Sequence, residues 1–253
     1  MHDPPAEPPK PSAFSFARVA GGLAILMILA CGGILWEERR IGVIGRKTLE
    51  SQNNVKNQTL AVTNFATRHE GRLDPQGDAE PSAPPVSWMT AILLSMDERT
   101  LKDSIDYTQP FDASENAAAF ATVVPPYTSP FVGDDLLPSG LAPAHYAGNV
   151  EVFVPDLTLD DIGNADGATQ TLMLAEVNAA TGSPTAWGNP ANLRSAAAPL
   201  NGPTGFGANG PGQIVVGYCD GRATGINPDI DPAIFAALGT PDGGETVSAS
   251  DYD

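Results

Sequence analysis

The longest apolar stretch of the chain lies near its N-terminus and carries no charged residue from Val19 to Trp36. Its 18 positions are at the lower edge of the ~17–25 residues that a membrane-spanning helix needs. Two glutamates and two arginines follow the tryptophan at residues 37–40, as is typical of a membrane boundary. The pattern predicts a transmembrane helix over residues 14–36, preceded by a proline-rich tail of residues 1–13.

Two alternatives remain open for the same stretch. Residues 28–31 loosely match the cleavage box of a lipoprotein, in which Cys31 would be lipidated, but the apolar residues after that cysteine are atypical. A cleaved secretory signal would need a small-residue cleavage site and a polar start to the mature chain, and neither is found. We therefore favour an uncleaved or prepilin-like anchor.

Beyond the apolar stretch, the spacing of apolar residues predicts helices. Residues 37–71 are predicted to be amphipathic, with a regular helix from about Lys47 to Arg68 that could continue the membrane helix. A proline-rich connector follows and cannot be helical. A second helix is predicted over residues 88–105, with Ser87 as its N-cap.

The remainder of the chain changes to short apolar runs between turn residues, which indicates strands. The high contents of glycine (26) and proline (24) favour many turns. The predicted strands are residues 118–124, 145–154, 169–177, 213–219 and 223–226. Together these patterns predict an α+β fold in which a long N-terminal helix packs on an antiparallel β-sheet, with an acidic domain over residues 72–253.

Charge is distributed very unevenly in this chain of 253 residues and net charge −17. Up to Gly71 there are 8 Lys and Arg against 6 Asp and Glu, and after it 5 against 24. So acidic a domain repels phosphate backbones and anionic headgroups, which argues against nucleic-acid binding and peripheral membrane binding. Cys31 and Cys219 are too differently placed for an intramolecular disulfide to be expected.

No pattern of catalytic, cofactor-binding or metal-binding residues is found. The three histidines, His2, His69 and His145, have no ligand spacing, and nucleophile-elbow and phosphate-loop motifs are absent from the sequence. Residues 164–167 resemble part of a calcium loop but lack its first and last acids, so we interpret them as an Asp-Gly hairpin turn. The sequence therefore predicts a protein that is not an enzyme and has no cofactor.

The C-terminal segment contains the weak candidates for a calcium site, which are Asp220, Asp229 and Asp231. Turns and caps explain the same residues: Asp220 and Gly221 predict a hairpin between two strands, and Asp231 predicts the N-cap of a helix over residues 232–238, ended by Gly239. We favour the structural interpretation and expect no metal here.

Several stretches, in the same order, resemble the planctomycete prepilin-like proteins grouped as DUF1559. The C-terminal stretch is similar to the family's H-x9-DG signature, although the chain has no histidine where that signature carries one, around Asn209. The cleavage pattern of prepilins is also missing before the apolar helix, where residues 13–18 contain neither its Gly nor its Glu. The similar stretches are residues 53–71, 87–106, 115–130, 145–150, 162–177 and 207–226.

The resemblance implies a pilin-like fold and a membrane-anchored pilin or pseudopilin-like protein that serves as a structural or assembly component. We expect a single-pass protein of the cytoplasmic membrane whose C-terminal domain lies on the periplasmic or external side. Its partners would be the membrane, like subunits, or components of a secretion or pilus-type assembly. The basic residues just after the apolar stretch contest that orientation, because a positive-inside count would place the domain in the cytoplasm; they are Arg39, Arg40, Arg46 and Lys47.

The alternative function is a binding module displayed at the surface on a membrane or lipid anchor, capturing a glycan or a peptide. Three aromatic residues could stack on sugars, although scattered aromatics belong more often to a core. They are Tyr146, Trp88 and Trp187.

Overall fold

The computed structural model describes residues 13–75, 83–182, 184–245 and 247, with side chains described from Glu37 onward. The chain divides into two compact units, one up to Arg46 and one from Lys47 onward. Where side chains are described, no helix has the length and apolar character needed to cross a membrane. The predicted transmembrane segment 14–36 lies outside that part, and the predicted tail lies almost entirely outside the described residues.

Helix α1 runs from Ala13 to Arg68, so the helix predicted over residues 47–68 is confirmed as part of a longer one. Within the larger unit, buried side chains recur every three or four residues along one face of α1, while Leu49 and Leu60 are exposed on the opposite face. The buried face carries polar as well as apolar residues, namely Ser51, Val55, Gln58, Thr59, Val62 and Ala66.

The single second helix predicted over residues 88–105 is wrong. The structure has α2 at Trp88–Ala91, a 3₁₀ turn at Leu93–Met96 and α3 at Arg99–Asp103. Asp97 adopts the left-handed conformation with φ 61°, which a continuous right-handed helix cannot contain. The predicted N-cap is confirmed, since the Ser87 hydroxyl accepts a hydrogen bond from the Thr90 N–H at 3.1 Å.

Two more predictions between the helices and the sheet are wrong. Residues 118–124 were predicted as a strand but begin within α4, Ala117–Phe120, where consecutive alanines favour a helical turn. Residues 164–167 do not form a hairpin. They begin with the last residue of α5, Leu159–Asn164, and Gly167, with φ 93°, lies just beyond the C-cap Ala165.

The main sheet has five strands in the order β5-β2-β3-β6-β7, and β1 pairs with β4 in a separate two-stranded sheet. The α+β class is confirmed, but the main sheet is mixed and not purely antiparallel, because β5 runs parallel to β2. The strands predicted over residues 169–177, 213–219 and 223–226 are confirmed, whereas the one predicted over 145–154 shrinks to β2. The strands are β1 Pro143–Ala144, β2 Tyr146–Asn149, β3 Leu172–Glu176, β4 Thr185–Ala186, β5 Leu193–Arg194, β6 Ile214–Tyr218 and β7 Ala223–Ile226.

The sheet separates two hydrophobic clusters. Val55 and Val62 of α1 belong to one, together with Trp88 and Trp187. The other includes Phe206 and the buried side chains of α6, Pro232–Gly239. Side chains of β6 alternate between the two clusters, as expected for a strand covered on both faces. In β3 the neighbours Met173 and Leu174 belong to the same cluster, where the pairing of β3 with β6 shifts in register.

Candidate functional site

The C-terminal hairpin has the predicted turn. Gly221 has φ 87°, in the left-handed region that glycine tolerates best, and one carboxylate oxygen of Asp220 accepts a hydrogen bond from the Arg222 N–H at 2.9 Å. The turn also contacts α1, because the Thr59 hydroxyl donates to the Gly221 carbonyl at 3.2 Å. The hairpin therefore closes the sheet against the long helix.

The other two calcium candidates lie in turns as well. Asp231 caps α6 by accepting from the Ala233 N–H at 2.8 Å, as predicted, although that helix reaches Gly239 and Thr240 is its C-cap. The Asp229 N–H donates to the Asn227 side chain at 2.9 Å. Within the described part of the chain, no three His, Cys, Asp or Glu residues are grouped so that they could hold a metal ion.

We expect Gly221→Val to destabilise the protein and Asp220→Asn to leave its stability nearly unchanged. Valine is strained at this φ by about 1–3 kcal/mol, and a Cβ here would lie 3.0 Å from Leu60 Cδ2. Asparagine keeps the acceptor that the Arg222 N–H needs. The measurement is thermal unfolding of both variants with Ca²⁺ and with EDTA. A large loss of stability in Asp220→Asn, or loss of a Ca²⁺-dependent rise in Tm, would make the hairpin a metal site.

A buried polar cluster joins α1 to the sheet; we call it the helix–sheet cluster and define it by Ser51, Ser129, His145, Tyr146 and Glu176. The Glu176 carboxylate accepts from the Ser51 hydroxyl at 2.7 Å and from the Ser129 hydroxyl at 3.4 Å. Its second oxygen accepts from the Val215 N–H of β6 at 3.1 Å. The hydroxyls of Ser51 and Tyr146 lie 3.0 Å apart. One carboxyl group thus connects α1, β6 and the loop at Ser129.

Burial dominates the electrostatics of this cluster. Glu176 is 1% exposed, and its pKa is raised by desolvation, which outweighs the hydrogen bonds from Ser51 and Val215 that favour the charged form. The pKa of Tyr146 is raised as well, first by burial and then by the negative charge of Glu176. A solute cannot reach a carboxyl group buried to this degree, so the arrangement suits a structural connection between helix and sheet.

His145 is a packing residue. It is buried, and its Nδ1 accepts a hydrogen bond from the Ser129 N–H at 3.0 Å, which requires that nitrogen to be unprotonated. Burial lowers its pKa to about 4, so the imidazole is neutral at neutral pH. His69, at the end of α1, stacks on Phe65 with ring centroids 4.1 Å apart.

The three aromatic residues considered for sugar stacking are all buried. The indole N–H of Trp88 donates to the Asn192 carbonyl, and that of Trp187 donates to the Thr122 carbonyl, each at 3.0 Å. Tyr146 belongs to the helix–sheet cluster. The stacking hypothesis is therefore wrong for these residues, because their ring faces are covered by the core.

The apolar pattern of the sequence does not single out the polar residues that matter most for this junction. Ser51 lies one helical turn before the buried Val55, and Glu176 is the one acid at the end of an apolar strand. An acid in such a strand must be hydrogen-bonded if it is buried. Its presence there is the sequence feature that indicates a buried polar cluster. Asn209, near the expected position of the signature histidine, connects a loop to β3: it donates to the Val177 carbonyl and accepts from the Ala179 N–H, at 2.9 and 2.8 Å.

A family model described as a protein of unknown function (DUF1559) matches residues 46–147. The resemblance to DUF1559 found in the sequence is thereby confirmed over these residues, which are 102 of the chain's 253. The match includes α1 from Arg46 onward and ends within β2, so the C-terminal signature lies outside it and stays a prediction. Searches of curated proteins and of solved structures gave no match.

Proposed function

We propose that the chain is a membrane-anchored, pilin-like structural or assembly protein whose acidic domain lies outside the cytoplasm. Its partners are the membrane, like subunits, or the components of an assembly machine. The protein acts through its helix and surfaces and carries out no chemistry. Cys31 is a second possible point of attachment, by lipidation.

The observation that carries this proposal is the architecture of α1. From Lys47 onward the helix is a component of the domain's core through Val55 and Val62, while the stretch predicted to enter the membrane belongs to the same helix, Ala13–Arg68. Pulling on such an anchor acts directly on the core, which suits a protein that bears load or assembles with others. The helix–sheet cluster supports this, because it fixes α1 to two elements of the sheet by hydrogen bonds.

The exposed side of α1 supports assembly as well. Leu49 and Leu60 are 61% and 42% exposed and lie eleven residues, or about three turns, apart, so they share one side of the helix. Apolar side chains that share the solvent side of a helix can form part of a contact with another protein. We assign that side of α1, which we call the outer face, to contact with a like subunit.

Membrane attachment is tested by fractionation. The full chain should stay with carbonate-washed membranes, whereas a chain beginning at Arg46 should be released, because it lacks the apolar segment and keeps the compact unit. Leu26→Arg should weaken retention, since a charge at the centre of a spanning helix costs about 2.5–3.5 kcal/mol. Cys31→Ser is the matched control: full retention supports a spanning helix, while release would mean that a lipid holds the protein. Retention of the chain beginning at Arg46 would contradict the proposed anchor.

A further inference from the structure

A cleft with basic walls opens at the C-terminal end of α1, beside α2 and α3. We call it the basic cleft. The residues that matter for its chemistry are two cations, a histidine and three apolar or aromatic side chains; they are Arg68, Lys102, His69, Phe65, Leu94 and Tyr107. All belong to the unit from Lys47 onward, so the cleft is complete within that unit.

The basic cleft is exceptional in its electrostatic setting. From Lys47 to the C-terminus the sequence has 8 Lys and Arg against 26 Asp and Glu, a net charge of 8 − 26 = −18. Carboxylates are therefore abundant, yet within the described part of the chain no ion pair joins Arg68 or Lys102 to one. Two cations line one cleft without an acidic partner, which leaves their charges available to a ligand.

The cations are held in place by contacts that do not neutralise them. One terminal nitrogen of the Arg68 guanidinium donates to the Ser95 hydroxyl at 2.7 Å, which fixes the side chain. Among the described residues, no other acceptor takes the remaining N–H groups of Arg68. The Lys102 ammonium lies 5.8 Å from the centroid of the Tyr107 ring, within the range of a cation–π contact. Neither contact satisfies a full positive charge.

The walls between the cations are apolar. Phe65 is buried and stacks with His69, so the accessible apolar wall is formed by Leu94, which is half-buried, and by Tyr107, which is 37% exposed. A ring or an aliphatic group bound here would shield these side chains from water. An anionic group attached to that ring or chain would reach the two cations. The cleft thus combines an anion site with a small apolar surface.

We propose that the basic cleft binds a ligand with a carboxylate on an apolar body, the carboxylate between Arg68 and Lys102 and the body against Leu94 and Tyr107. A singly charged carboxylate suits the cleft better than phosphate does, since the acidic domain repels a doubly charged anion more strongly and phosphate has nothing to place on the apolar wall. This binding site is independent of the membrane anchor and adds a ligand to the proposed structural role. It also gives specific support to the alternative of a surface-displayed binding module.

The test uses the full chain in detergent, with benzoate and benzamide as probes of equal shape and different charge. Benzoate should bind with a Kd on the order of 1 mM, and benzamide on the order of tenfold more weakly. N-acetylphenylalanine serves as a second probe, because its carboxylate is that of a peptide C-terminus. Its amide, which has no charge, is the control. Tighter binding of that acid than of benzoate assigns the ligand to peptide ends, and the reverse order assigns it to small acids; both support the site.

Variants keep the proposal falsifiable. Lys102→Gln should weaken benzoate binding by about tenfold and leave benzamide binding unchanged. Lys56→Gln is the matched control, because it removes the same charge from an exposed position of α1 outside the cleft. Equal binding of benzamide and benzoate, equal losses in the two variants, tighter binding of inorganic phosphate, or no saturable binding of benzoate would each overturn the proposal.

Discussion

Gly217→Val is expected to prevent α1 from packing on the sheet and to cost more stability than any other single substitution considered for this protein. Gly217 lies in β6, beneath the helix. A Cβ at this position would lie 2.3 Å from Thr59 Cγ2 and 2.9 Å from Val55 Cγ1, distances that real contacts do not allow. Overpacking of a core typically costs about 1–3 kcal/mol, and valine adds two further methyl groups, so the loss should exceed that range.

The measurement is the free energy of unfolding from denaturant titration, with two companions. Gly217→Ala adds the Cβ alone and should lie between the parent and Gly217→Val. Gly163→Ala is the control, because nothing lies within 4 Å of a Cβ there and its position in α5 favours alanine. Gly217→Val with the stability of the parent would mean that the helix does not rest on this strand.

Glu176→Ala should have the second-largest effect, and Glu176→Gln a much smaller one. Alanine leaves the Ser51 hydroxyl and the Val215 N–H without their acceptor and opens a cavity, a loss on the order of 2–5 kcal/mol. Glutamine can place its carbonyl oxygen toward the Val215 N–H and its NH₂ toward the serine hydroxyls, which are able to accept. Denaturant titration of both variants tests this, and equal losses would show that the carboxyl's hydrogen bonds are not what stabilises the junction.

The difference in stability between the parent and Glu176→Gln should depend on pH. The pKa of Glu176 is raised above its ordinary value of 4.5 in the folded protein, so the folded state holds this proton to a higher pH than the unfolded chain does. The stabilisation from the protonated form is complete below pH 4.5 and is lost as the pH rises through the raised pKa. The stability of the parent relative to Glu176→Gln should therefore fall with rising pH, and His145, whose lowered pKa acts in the opposite direction, is common to both proteins.

The elements that the sequence predicts correctly are those in which local preferences and long-range contacts favour the same structure. The C-terminal hairpin was predictable because Asp220 and Gly221 prefer the turn that the two strands need, and the cap at Asp231 acts within its own helix. The helix from Lys47 to Arg68 was predictable from its apolar spacing. In these cases the local preference of the chain and its tertiary contacts agree.

The failures lie where tertiary contacts decide. Residues 122–124 are β-branched and favour a strand, whereas the alanines before them favour a helical turn. The structure has the helical turn, in which Phe120 packs on Trp187 with ring centroids 4.5 Å apart. The parallel pairing of β5 with β2 depends on the path of the loop between them. No local residue pattern predicts that path. The helix–sheet cluster joins Ser51 to Glu176, which are 125 positions apart in the chain. Their hydrogen bond therefore cannot be predicted from the residues near either one.

The proposed assembly with like subunits in the membrane, through the outer face of α1, is tested by cysteine cross-linking in native membranes. Leu49→Cys would be introduced into a chain carrying Cys31→Ser, in which the remaining Cys219 is buried. The control is Leu136→Cys, because that leucine is 47% exposed in a loop and does not belong to the outer face of α1. We predict covalent dimers on oxidation of Leu49→Cys and none with Leu136→Cys. Equal yields at the two positions, or no dimers at Leu49→Cys, would contradict the proposed assembly.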